Sequence, residues 1–375
     1  MLVSENSVKT VVHVIYSGLG GHAAVTFSLL EAGFLVKARH HVVLAGVESP
    51  LQDYTDRLDR MGITWSYVRK IPRRGYLRFF RQLRKNFASQ DPDLLFLNGL
   101  AASPAAVALS WSLGGRRPKV ILRESEPVQL KGAYEWLLLA LAHRTMNQIV
   151  HLTPEAAQSA KKRLMWLHRE QKVTIIPNGL DTTFFRRNPR SVEDGIIRIG
   201  MVSRLQHKKD HKTLLAAFDK LCFDRPDQRL KLYIAGDGAT KLDIEEEISK
   251  RNLGDRVEMC GVLNNHGVRD LMNRLDIYVH STFGETMSNS IMQAMAMALP
   301  IVASDVDGVE NMVGPDFGLL VSPRDVGGLA NCMAWFIDHP DQAKDYAARA
   351  RHKAESEYSI LKVVQQYEDA ATTMI

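Results

Sequence analysis

Short apolar runs rich in Val, Ile and Leu recur along the chain, separated by stretches with helical spacing. The first series is TVVHVIYSG (10–18), HHVVLAG (40–46), DLLFLNG (93–99), KVILRES (119–125), QIVHLT (148–153) and KVTIIPNG (172–179). A second series follows: IIRIGMVSRL (196–205), LKLYIAGDG (230–238), RVEMCGV (256–262), LDIYVHST (275–282), PIVASD (300–305) and FGLLVS (317–322). Runs that are apolar on both faces and alternate with helices predict parallel sheets covered on both sides. Two such series predict an α/β protein of two Rossmann-like domains, one at 1–177 and one at 178–355. The polar, Pro-containing segment PNGLDTTFFRRNPRSVEDG joins them. Residues 356–375 hold a last amphipathic helix, expected to pack back on the first domain. In such a pair the cleft at the carboxyl ends of the strands is the expected ligand site.

The rest of the sequence carries no internal repeat and no zinc, EF-hand or Walker spacing. The longest apolar run, WLLLALA at 136–142, is far shorter than the roughly 20 residues of a spanning helix. The start, MLVSENSVKT, is polar and unlike a signal peptide. Cys222, Cys260 and Cys332 are far apart and lack metal-ligand spacing, which suits reduced thiols in the cytoplasm.

Charge divides the chain more sharply than its total of +6 suggests. Up to Pro177 there are 24 basic and 13 acidic residues, and beyond it 24 and 29. The two halves are therefore expected to face different partners. The densest basic stretch, RKIPRRGYLRFFRQLRK at 69–85, has eight Lys or Arg and no acid. Tyr76, Phe80, Leu83 and Phe87 recur there at helical spacing, so a basic amphipathic helix is predicted. It is either a core-packed helix with a solvated face or a surface for anionic lipid or a phosphorylated acceptor. Aromatic interleaving is modest and the second half is acidic, so no nucleic-acid partner is expected.

Candidate chemistry lies in the loops that follow strands. After the first strand, SGLGGHAAV offers Gly20 and Gly21 at a helix start, with His22 beside them. SRLQHKKDHK places Arg204 and Lys209 at a strand end, where two cations can neutralise a diphosphate. GDG at 236–238 is a tight turn that brings Gly236 to the same edge. FGETMSNSIMQAMAMALPIVASD (283–305) predicts a buried helix from about Ser288 to Pro300. The amides near Met287, Ser288 and Asn289 would face an anion. Gln293 would reach a neighbouring sugar ring or a backbone carbonyl, and Glu285 a set of hydroxyls. In the first half Asn98 and Glu124 stand at strand ends, while Arg123 and Glu126 could equally form surface pairs.

Together these residues resemble a retaining glycosyltransferase of family 4, with the GT-B fold of two Rossmann-like domains facing a cleft. The resemblance covers nearly the whole chain: GLGGHAA, IIPNGLD, SRLQHKK and, most specifically, GETMSNSIMQAMAMALPIVASDVDGV. It implies that the C-terminal domain binds a nucleotide diphosphate sugar and the N-terminal domain a saccharide or lipid-linked acceptor. Arg204 and Lys209 would then hold the diphosphate and Glu285 the transferred sugar. His22, Asn98 and Glu124 would face the acceptor. Gln293 and Asn311 stand where the family has acids, and Asp307 replaces a Gly. The resemblance implies neither metal nor cofactor, the nucleotide sugar being a substrate. UDP is the favoured base and GDP an alternative. The expected setting is bacterial surface polysaccharide synthesis in the cytoplasm or on the inner face of the plasma membrane. Two rivals stay open: a nucleotide-sugar epimerase and a non-catalytic nucleotide-sugar-binding partner.

Overall fold

A computed structural model describes residues 8–18, 21–71, 75–112, 117–126, 131–188 and 194–375. The chain forms two compact units, Met1–Gly179 with Ile360–Ile375, and Leu180–Ser359. Gly20 and the basic residues Arg73 and Arg74 lie outside the described residues.

The first unit holds a seven-stranded sheet of β1 (Thr10–Tyr16), β2 (Arg39–Gly46), β3 (Thr64–Arg69), β4 (Leu94–Asn98), β5 (Lys119–Glu124), β6 (Gln148–His151) and β7 (Val173–Ile175). Its order is β3-β2-β1-β4-β5-β6-β7, and every recorded pairing is parallel. β1 is buried at six of its seven positions, as a strand covered on both faces must be. His13 in its middle is fully buried and lies 3.0 Å from His40 Nδ1. Burial and then the neighbouring His40 and His41 push its pKa well below the usual histidine value, so it is held neutral.

β3 has no counterpart among the predicted strands. It is the sheet edge, and only Val68 along it is fully buried. An edge strand half in water needs no continuous apolar run, so its sequence, TWSYVR, does not stand out. The helix Ile360–Thr372 buries Ile360, Val363, Val364, Tyr367 and Ala371. These join Val11, Val25, Leu29, Phe34 and Phe96 in one apolar cluster, which places the end of the chain in the core of the first unit.

The basic segment folds as the helix Tyr76–Gln90. Its buried stripe is Phe79, Leu83 and Phe87, at i, i+4 and i+8. The predicted stripe began at Tyr76 and Phe80. Instead Tyr76 is 47% exposed and Leu77 73%, while Phe80 is half-buried, a rotation of one position. Both Phe79 and Phe80 fit a helical period, and sequence spacing alone does not choose between them.

The second unit holds six parallel strands: β8 (Ile196–Val202), β9 (Arg229–Ala235), β10 (Val257–Gly261), β11 (Ile277–His280), β12 (Ile301–Ser304) and β13 (Leu319–Val321). Their order is β10-β9-β8-β11-β12-β13. Winding runs outward one way from β8 and the other way from β11. β8 and β11 are therefore the adjacent strands at which the winding reverses, the position where such sheets hold ligands. Arg204 and Lys209 follow β8, and Glu285 follows β11. Among the described residues no helix is long and apolar enough to cross a membrane.

Candidate active site

The loops after β8 and β11 are tied to each other by their backbones. Asp210 N–H donates to Ser281 C=O at 3.0 Å, and Phe283 N–H to Lys208 C=O at 2.8 Å. The hydroxyls of Ser281 and Thr282 donate back to the carbonyls of Asp210 and Lys208, at 2.8 and 3.0 Å. Thr282 N–H is taken by Ser304 Oγ of β12 at 2.9 Å. Asp210 also caps the helix His211–Asp224, accepting from Thr213 N–H. Polar residues at strand ends thus convert two loops into one rigid platform.

On that platform Lys209 and Glu285 form an ion pair, and their side chains are only 7% and 11% exposed. Lys209 Nζ is also 2.9 Å from Nε2 of the fully buried His280. Burial and then the charges of Lys208 and Arg204 pull the Lys209 pKa well below the ordinary lysine value. The Glu285 carboxylate acts in the opposite sense and favours the ammonium. The Arg204 side chain is exposed, and its charge is the weakest of the three causes that lower the Lys209 pKa. The backbone beside Arg204 is set by the turn after β9. Leu205 N–H donates to Asp237 C=O at 2.9 Å. Gly236 has φ +138°, and a Cβ there would sit 1.8 Å from Ser203 O. Gly236 therefore serves close backbone approach beside Arg204.

The helix predicted from Ser288 spans Asn289–Ala296, with Ser288 as its cap, accepting from Ile291 N–H at 3.4 Å. Two expectations need correction. The Ser288 amide does not point free toward an anion, because it donates to Met312 Sδ at 3.3 Å. The helix also stops at Ala296, short of Pro300. Gln293 is half-buried on its body, so no buried amide has to be satisfied there. Asn311 donates to Asp307 C=O at 2.9 Å.

In the first unit Arg123 is a correction of a different kind. A surface pair was one of its two readings, yet the residue is 1% exposed and its guanidinium donates to Asn178 Oδ1 and, at 3.4 Å, to Asn98 Oδ1. Asn98 in turn donates to Val14 C=O at 3.2 Å and Thr26 Oγ1 at 3.1 Å. Its amide thus serves the interior of the unit at both ends. Glu124 is buried and paired with Lys131 at 3.0 Å. Burial raises its pKa, against the opposing effects of Lys131 and the Glu126 amide. Glu124 Oε2 has no hydrogen-bond partner among the described residues. Gly21 opens the helix Gly21–Glu31, and the side chain of His22 lies outside the described residues.

Sequence reasoning missed Tyr278, His280 and Gly308. Two polar side chains at alternate positions of an otherwise apolar central strand were the available signal for the first two. Gly308 lies against the Glu285 loop: a Cβ there would be 2.3 and 2.4 Å from the carbonyl oxygens of Glu285 and Thr286. Among the described residues no three His, Cys, Asp or Glu side chains converge on a possible metal site.

The geometry can be set beside known proteins. The profile for glycosyl transferases group 1 matches residues 182–353, and that for Glycosyltransferase Family 4 matches 19–184. The phosphatidylinositol N-acetylglucosaminyltransferase gpi3 subunit of Schizosaccharomyces pombe is 26% identical over 53% of this chain and 43% of its own length. The chain thus spans less than half of that relative. The putative teichuronic acid biosynthesis glycosyltransferase TuaC of Bacillus subtilis is 25% identical over 76% of this chain and 72% of its own. Among solved structures, Anabaena HepE in complex with UDP and glucose superposes with a TM-score of 0.81 at 18% identity, covering 96% of this chain and 99% of that one. With one profile over each unit and a fold shared along its whole length, the chain belongs to the group 1 glycosyltransferases and has their GT-B fold.

Proposed function

We propose that this protein transfers a sugar, with retention of anomeric configuration, from a nucleotide diphosphate sugar to a saccharide or lipid-linked acceptor. The observation that carries the reading is the ion pair of Lys209 and Glu285 on the joined loops of β8 and β11. In this scheme the second unit holds the donor. Lys209, Arg204 and the amides around Met287 and Asn289 meet the diphosphate, Glu285 the sugar hydroxyls and Gln293 the ribose. As the glycosidic bond breaks, charge grows on the leaving diphosphate. Fixed cations stabilise that charge without reorganising. Attack comes from the same face, with the leaving phosphate taking the acceptor proton. UDP is the favoured base, an inference supported by the UDP complex of HepE.

Acceptor binding falls to the first unit. Glu124 Oε2, buried at the end of β5 and without a partner among the described residues, is one group there that a hydroxyl could satisfy. The helix Tyr76–Gln90 exposes Tyr76, Leu77, Arg78, Arg81, Arg84 and Lys85. Such a face suits the anionic inner surface of a membrane carrying a lipid-linked acceptor. The enzyme would then work as a peripheral protein in surface polysaccharide synthesis.

A thermal-shift panel of UDP, GDP and ADP sugars tests the donor class. UDP sugars should raise the melting temperature by several degrees and release UDP when acceptor is added. No shift with any nucleotide would overturn the reading. The site's geometry has its own test in Gly308→Ala, whose added methyl must push the Glu285–Thr286 backbone aside. A displacement near 1 Å at a positioning group costs up to about a hundredfold in rate. Turnover should therefore fall at least about tenfold with the circular dichroism spectrum unchanged. Wild-type turnover in this variant would show that the position of Glu285 does not matter.

A further inference from the structure

We propose that His280 is a positioning residue of the transfer site, its neutral ring fixing the direction in which Lys209 presents its ammonium. The proposal rests on the reading of Lys209 as a diphosphate ligand and adds a residue that the reading does not contain.

His280 ends the central strand β11, and its side chain is fully buried. An imidazole in that place is costly unless both nitrogens are used. Nε2 lies 2.9 Å from Lys209 Nζ, and Nδ1 lies 3.2 Å from the Tyr278 hydroxyl. That hydroxyl is in turn 3.3 Å from the carbonyl oxygen of Val202, the last residue of β8. The two ends of this chain set its direction. An ammonium has only protons to give, so Nε2 accepts, and a carbonyl can only accept, so Tyr278 donates to Val202. The single ring proton is then on Nδ1 and faces the Tyr278 oxygen.

The rival tautomer would place a proton on Nε2, donating to Glu285 Oε1 at 3.3 Å. It would also set that N–H against the ammonium, whose nitrogen is 2.9 Å from Nε2, so the geometry disfavours it. His280 therefore offers Lys209 a second acceptor beside Glu285. Between two acceptors the ammonium is held in one direction, with its remaining proton free for a phosphate oxygen. With Glu285 alone it would be free to swing about a single contact. The orientation of the ammonium is thus fixed from β8 and β11 together, the two strands that bracket the site.

Two substitutions separate positioning from packing. His280→Leu removes both nitrogens, whereas His280→Gln can return an oxygen near the place of Nε2. The expected result is a fall of roughly tenfold or more in kcat for Leu, with donor KM changed by less than about threefold, and recovery to within about threefold of wild type for Gln. Wild-type kcat in His280→Leu overturns the proposal, whatever its melting temperature. Equal impairment of the Leu and Gln variants, both melting as wild type does, also overturns it. The ring itself is read by 15N NMR of the substrate-free wild-type protein at neutral pH, where Nδ1 should be protonated and Nε2 bare. Protonated Nε2 refutes the chain directly. Because that spectrum needs no substrate, absence of nucleotide-sugar turnover would count against the proposed function and leave the tautomer result standing.

Discussion

Lys209→Met should lower transfer at saturating donor by about 10²–10³-fold while the protein still folds. The stem of Met nearly matches that of Lys, so the change removes charge more than shape. The size of the effect follows from burial. At 4 Å, opposite unit charges attract by about 4 kcal/mol at an effective dielectric of 20, against about 1 kcal/mol in bulk water. With its side chain only 7% exposed, Lys209 works near the first of these limits. Losing about 3–4 kcal/mol of transition-state stabilisation corresponds to the stated range. Stability responds separately, because the variant leaves the Glu285 carboxylate, 11% exposed, beside the neutral ring of His280. Breaking a buried pair from one side is the costly direction. Adding Glu285→Gln should therefore return much of the lost melting temperature without returning transfer. Lys209→Arg keeps the charge but presents a planar fork where a point charge was accommodated, so it should restore stability more than rate. Initial rates of nucleotide diphosphate release, set beside thermal melts of the four proteins, make the comparison. A Lys209→Met rate within about threefold of wild type would remove Lys209 from the transition state.

Whether a residue of this site could be read from the sequence depended on whether its role was local. The strands that build both sheets are buried on both faces, so their apolar runs announced them. Arg204, Lys209 and Glu285 follow strands that the apolar runs announced, so their places in the loops after β8 and β11 were legible from position alone. Features set by distant parts of the chain could not. The helix Asn289–Ala296 illustrates the point. It closes with Leu299 N–H donating to Ala294 C=O and Ala298 N–H to Met295 C=O, Ala298 standing at φ +48°. That closure usually announces itself by Gly in the left-handed position. Here Ala occupies it, so the sequence pointed on to Pro300. His280 was hidden for a related reason. A histidine in a buried strand is read as a polar intrusion until Lys209, from another loop, is seen to meet it.

Arg123→Ala should destabilise the first unit by about 3–4 kcal/mol, and Arg123→Met by only about 1–2 kcal/mol. Three contributions decide the order. Either change removes the guanidinium that now donates to Asn98 Oδ1 and Asn178 Oδ1, and losing a hydrogen bond from a charged group costs about 1.5–3 kcal/mol. Either change also removes the cost of burying a cation, which partly offsets that loss. Burial at this site is strong enough to lower the arginine's own pKa and to push the nearby Tyr367 hydroxyl up to about 12. The third contribution separates the two variants. Ala opens a cavity in one of the largest fully buried positions of the chain, whereas Met refills most of it. The difference of about 2 kcal/mol should appear as a lower urea midpoint for Ala at an unchanged m-value. Equal losses in the two variants would mean that the hydrogen bonds to the asparagines outweigh the packing. A neutral Arg123→Ala would return the residue to the surface role that its sequence context suggested. Arg123→Met should also keep wild-type donor KM, since its contacts all lie inside the first unit.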